Sequence, residues 1–93
     1  MLKQQPKGVY MKGNVSQSVK KIIAKECGLS SKLITNEMPF MANRELSYFD
    51  CIDVIYDLEH KYKVRLPESD FVKYDTVGAL VKIVTAQLNK GSR

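Results

Sequence analysis

Tryptophan is absent from the 93 residues, histidine occurs once, and cysteine only twice, at Cys27 and Cys51. Two separated cysteines fall short of the clustered ligands of a structural zinc site and of a disulfide framework, so both thiols are expected to be reduced. His60 has no nucleophile near it in sequence, which leaves no Ser–His or Cys–His pairing to read. The five glycines are scattered and build no phosphate-binding loop. No apolar run approaches the roughly 20 residues of a membrane-spanning helix, because Lys, Glu or Asp interrupts each candidate segment. The first residues, MLKQQPKGVYMKGN, lack an apolar central stretch and a small-residue cleavage site, and so do not read as a secretory signal. Together these absences predict a cytoplasmic protein with no catalytic site of its own, working as a binding, carrier or adaptor domain.

What is present suits one small folded domain. Hydrophobic residues make up 44% of the chain, too many for a disordered segment, and 15 Lys and Arg against 10 Asp and Glu leave a net charge of +5. Residues 1–14 show no apolar period and read as a flexible basic leader; residues 15–90 read as the helical domain and 91–93 as a tail. Val15, Val19, Ile22 and Ile23 fall on one helical face, with Asn14 as the expected N-cap and Gly28 as the stop. From Leu29 to Arg44 six large apolar residues fit no single period, and Pro39 disfavours a continuous helix. Such a segment is expected to wrap over the bundle and supply part of its core. A second helix is predicted from Ser47 to Tyr62, with Phe49, Ile52, Ile55, Leu58 and Tyr62 on the inner stripe and Ser47 and Asp50 near a capping-box spacing. After Pro67 a short helix is expected to offer Phe71, Val72 and Tyr74 as plugs. Asp75 or Thr76 then caps a last helix with Val77, Leu80, Val81, Val84 and Leu88 inward, ended by Gly91. The fold class is all-α: three main helices, a short one before the last, and a long first loop.

This order and spacing resemble an acyl carrier protein. VKKIIAKECGLSSKLIT resembles that family's first helix and its exit, FDCIDVIYDLEHKYKVRLPESD the second helix and the aliphatic-Pro-acid stretch after it, and KYDTVGALVKIV the final helix. The resemblance spans about residues 15–89 and implies an acyl-carrier-protein-like four-helix bundle. It also implies 4'-phosphopantetheine as cofactor, esterified to the serine of an Asp-Ser-Leu motif at the start of the second helix. Laid on this chain without a gap, that motif falls on Ser47-Tyr48-Phe49: Tyr48 takes the serine's place, Ser47 the aspartate's, and Phe49 the place of the leucine that anchors the helix start in the core.

Two readings of Ser47 follow. It serves only as a helix cap, or it is a displaced attachment serine, where the amides and dipole of the helix start favour a phosphodiester by about 0.3–1 kcal/mol. One residue along a helix is a rotation of roughly 100° and a rise of about 1.5 Å, so the displacement changes what a modifying enzyme meets. Tyr48 as the acceptor is a third and weaker candidate. An attached acyl chain would lie between the second and third helices, against Ile52, Ile55, Phe71 and Val72. Cys51 shares a helical face with Ser47 and Tyr48, so a direct thioester there competes with a plain packing role; Cys27 reads as core or boundary.

Charge is unevenly distributed. Residues 1–27 carry six lysines against Glu26, whereas the stretch from Glu45 to Glu59 holds five acids and no Lys or Arg. The acidic second helix resembles the family's docking surface, which implies that Glu45, Asp50, Asp53 and Asp57 meet basic patches on acyl-transfer or synthase enzymes, and on a phosphopantetheinyl transferase. His60, Lys61, Lys63 and Arg65 depart from the family by turning basic at the far end. The basic cluster has Tyr10 as its one aromatic and no reading helix, which argues against nucleic acid. The expected function is a carrier or docking module for fatty-acid, polyketide or related acyl metabolism, working as a monomer. The competing class is an unmodified interaction or regulatory protein that keeps the bundle and uses the acidic helix to hold an enzyme.

Overall fold

A computed structural model describes residues 12–90. Most of the expected leader, the tail and the Gly91 stop lie outside the described residues. Helix α1 runs Lys12–Cys27, α2 Tyr48–Tyr62 and α3 Val77–Lys90, with 3₁₀ segments at Ser31–Leu33 and Glu68–Lys73. Among the described residues there is no strand; an isolated bridge between Pro39 and Thr76 is all the extended pairing. The architecture is the expected all-α bundle, its short element being 3₁₀ rather than α.

The helices form where the apolar period and the end signals agree. Val15, Val19 and Ile23 of α1 are buried, and Gly28 adopts φ +70° while the Leu29 amide donates to the Ala24 carbonyl at 3.0 Å. This is the closure that a left-handed residue allows at a helix C-terminus. Asn14 lies inside α1 rather than capping it, so residues 12–14 belong to the helix and not to a leader. In α3 the choice between two caps falls on Thr76, whose Oγ1 accepts from the Ala79 amide at 3.0 Å. The whole predicted α3 stripe is buried, together with Thr85, whose hydroxyl donates to the Val81 carbonyl at 2.8 Å.

The long connection is bound to the start of α3. Phe40 and Met41 amides donate to the Asp75 and Tyr74 carbonyls, and Val77 and Gly78 amides donate back to Met38 and Asn36. Gly78 suits this close approach: a Cβ would meet the Asn36 oxygen at 3.0 Å, tighter than ordinary contact. The connection thus contributes buried Ile34 and Phe40, while Leu33 is turned out to solvent. Of the three plugs expected after Pro67, Tyr74 is fully buried, Phe71 half-buried, and Val72 82% exposed. A 3₁₀ turn repeats every three residues, so Phe71 and Tyr74 share one inward side and Val72 does not.

Phe40 and Tyr74 anchor this seam in different ways. Truncating Phe40→Ala removes a fully buried ring and is expected to cost about 3–5 kcal/mol in a urea titration. The Tyr74 hydroxyl is buried without a hydrogen-bond partner, and burial pushes its pKa up to about 12. Tyr74→Phe is therefore expected to leave stability unchanged or raise it by about 1 kcal/mol. A loss as large as that of Phe40→Ala would show that the hydroxyl is satisfied.

Candidate functional site

Helix α2 carries three stripes, separated by the 100° turn per residue. Cys51, Val54, Ile55 and Leu58 face the core and are buried. Tyr48, Phe49, Ile52 and Tyr56 form a second apolar side. Asp50, Asp53 and Asp57 form a third, toward α1. The expectation that Phe49 points inward is corrected: it is 77% exposed, and Val54, absent from the predicted stripe, takes a core place instead. Tyr48 is also exposed, its ring edge-on to Phe49 with centroids 6.0 Å apart.

The second apolar side is one wall of a groove of about 390 Å³, whose other wall is Leu66, Pro67 and Phe71, with Glu59 and Glu68 also lining it. The opposing wall is positioned by polar bonds: the Leu66 amide donates to Glu59 Oε2 at 2.7 Å, and the Gln87 side chain bonds both the amide and the carbonyl of Arg65. Of the four residues expected along an acyl chain, Ile52 and Phe71 line this groove. Ile55 belongs to the core, and Val72 lines a shallower depression beside Met41.

Ser47 sits at the N-cap of α2 in extended backbone geometry, its carbonyl accepting from the Cys51 amide at 3.1 Å. Its side chain makes no capping hydrogen bond, so the Ser47–Asp50 capping box does not form and the hydroxyl stays exposed. Cys51 does not share that exposure. It is buried, its Sγ points at the Phe40 carbonyl at 3.7 Å, and burial, with Cys27 and Asp50 nearby, pushes its pKa to about 11. A thiol so protonated and enclosed is a packing residue and not a thioester site. Cys27, half-buried, is likewise raised by burial.

The five acids of this stretch have different surroundings. Glu45 and Asp53 are exposed, Asp50 is half-buried, and Glu59 is engaged with the Leu66 amide. Asp57 turns toward α1, where its Oδ2 is buried without a protein donor. The group opposite is Glu26, whose pKa is raised chiefly by a hydrogen bond with Asp57, then by burial and the Asp57 charge. The two carboxyl groups therefore face each other between α1 and α2. No helix among the described residues is long and apolar enough to cross a membrane.

A three-helix core, a long first connection bonded to the last helix, and a groove between α2 and a short element define an acyl-carrier-protein-like fold. Among solved structures, the acyl carrier protein from Enterococcus faecalis is similar to this chain with a TM-score of 0.67 and 20% sequence identity, over 84% of this chain and 99% of that one. No family model matches the sequence.

The Glu26–Asp57 contact carries a pH dependence of defined sign. A carboxyl whose pKa is higher folded than unfolded binds its proton more tightly in the native state. Its contribution is full below the ordinary value of 4.5 and is lost as pH rises through the folded value. Urea midpoints are expected to fall as pH rises from 4.5 through the raised Glu26 value, and Asp57→Asn is expected to flatten that fall. An equal slope in the variant would exclude the pair as its source.

Proposed function

We propose that this chain is a carrier or docking module for enzymes of fatty-acid, polyketide or related acyl metabolism, with Ser47 as the attachment residue for 4'-phosphopantetheine. The observation that carries the reading is the Ser47 hydroxyl: exposed, without a hydrogen bond, at the start of a 15-residue helix. A serine needed as a cap would be engaged with the amides behind it; this one is available to a modifying enzyme. The residues fit the group. The unpaired amides of the first turn of α2 favour the phosphodiester charge, and the groove alongside offers alkyl surface the apolar side chains of Ile52, Phe49 and Phe71 between the carboxylates of Glu59 and Glu68. When bound, the group supplies a terminal thiol that holds an acyl chain as a thioester. The chain's own residues position that arm and do no bond-making on the acyl group.

A phosphopantetheinyl transferase and acyl-transfer or synthase enzymes with basic patches are the partners of this reading. Exposed Glu45 and Asp53 support it as the charges a basic patch would meet first, with Asp50 and Asp57 behind them. One observation favours the second reading, an unmodified docking or regulatory protein: Tyr48 stands in the family serine's place, with Tyr48 and Phe49 exposed as a pair of rings. Exposed aromatics at a helix start are anchors for protein contact.

The two readings separate by mass. Incubation with coenzyme A and broad-specificity transferases is expected to add one phosphopantetheine moiety, lost in Ser47→Ala and kept in Tyr48→Phe. An unchanged mass with every transferase would leave the docking reading standing. Docking is tested by reversing charge at Glu45→Lys and Asp53→Lys. Binding to a synthase or transferase bearing a basic patch is expected to weaken about tenfold at low salt and less at high salt, with helical circular dichroism unchanged. Equal binding by the variant would remove the acidic side from the interface.

A further inference from the structure

We propose that the side of the bundle formed by α1 and α3, away from the Ser47 groove, carries a binding site for a phosphate monoester. A second cavity of about 470 Å³ opens there, lined by Ser16, Gln17 and Lys20 of α1, Asn36 of the long connection, and Gly78, Val81 and Lys82 of α3. Ion pairs among the described residues join Lys25 to Glu26 and Lys73 to Asp70, so neither Lys20 nor Lys82 is neutralised by a carboxylate. Glu37, the acid nearest in sequence, is exposed and does not line the cavity.

Two of the polar groups that line the cavity with the lysines, Ser16 and Asn36, are held in place. Asn36 is fixed twice: its carbonyl accepts from the Gly78 amide at 2.8 Å, and its Oδ1 accepts from the Ser16 hydroxyl at 3.3 Å. Gly78, without a Cβ, allows that close approach. The bond from Ser16 leaves the Asn36 amide nitrogen to donate elsewhere. The first-turn amides of α3 are already used by Met38, Asn36 and Thr76, so an anion here is held by side chains and not by the helix terminus.

Two compact ammonium groups in one cavity with the carboxamides of Gln17 and Asn36 suit a dianion with several acceptor oxygens; a carboxylate is matched better by the planar fork of Arg, and no Arg lines the cavity. A phosphate monoester is close to that dianion at neutral pH. The cavity is larger than one phosphate requires, and Val81, Gly13 and Gly78 add uncharged lining for an organic remainder.

The test follows amide shifts of the full chain during titration with glycerol 3-phosphate at constant ionic strength, and separately with phosphatidylcholine vesicles containing phosphatidic acid. Saturable shifts at Ser16, Lys20, Asn36, Gly78 and Lys82 are expected. They should weaken about tenfold or more in Lys20→Gln/Lys82→Gln and stay unchanged in Lys21→Gln/Lys25→Gln, which removes equal charge elsewhere on α1. Asn36→Ala should weaken them without altering the amide dispersion of α2. A response to glycerol 3-phosphate identifies a soluble monoester; a response to the vesicles alone identifies a lipid headgroup, and both support the site. Shifts that never saturate, that persist in Lys20→Gln/Lys82→Gln, or that are absent in both titrations overturn it. Neither readout depends on Ser47 or on acyl chemistry.

Discussion

The long connection holds its place through four backbone hydrogen bonds to the start of α3, and the rest of the fold depends on that seam. Residues 28–47 have no helix or sheet longer than one 3₁₀ turn to satisfy their amides and carbonyls. Exchange between Asn36–Met41 and Tyr74–Gly78 supplies part of what is missing. The same seam inserts Phe40 beside Tyr74 and directs the Phe40 carbonyl toward Cys51, so the start of α2 is packed against a connection already fixed to α3. Ser47 follows six residues after Met41, and its position at the helix start is inherited from this arrangement.

Sequence periodicity read α1 and α3 well because each carries one apolar stripe and an otherwise polar surface. In α2 the same rule was ambiguous. Nine of its 15 residues are apolar or aromatic, and they populate two sides. A stripe through Phe49, Ile52 and Ile55 fits the helical period about as well as one through Cys51, Val54, Ile55 and Leu58. The difference was decided by elements remote in sequence: Phe40 covers Cys51, whereas Leu66 and Phe71 stand across an open gap from Phe49 and Ile52. More apolar residues than one buried stripe needs was the available signal of a second surface, and it marks the groove.

The acidic stretch shows a similar division. Counted along the sequence it is uniform, yet Glu59 is consumed by the backbone of Leu66 and Asp57 is turned against Glu26, leaving Glu45 and Asp53 as its exposed members. Net charge along a segment overstates the field a partner meets, because carboxylates that satisfy local donors or turn toward a neighbouring helix project little of it outward. The chain's positive balance is divided the same way: Lys25 and Lys73 have carboxylate neighbours, while Lys20 and Lys82 have none and frame a cavity.

The loss of the expected capping bond at Ser47 changes what its one-residue displacement means. Had the hydroxyl bonded the amides of α2, modification would have required breaking a bond worth about 1 kcal/mol and leaving a donor unmet. Those amides instead lack a side-chain cap from Ser47 at a helix start whose dipole favours negative charge, so an anion attached at Ser47 would gain what the side chain has left unused. The aromatic pair Tyr48 and Phe49 then bears on either function from the same place. Beside a modified serine they are a wall that an arm passes to enter the groove; beside an unmodified one they are the largest apolar surface that α2 presents to a partner. Both uses require Phe49 to stay outward, and Val54 makes that possible by filling the core in its stead.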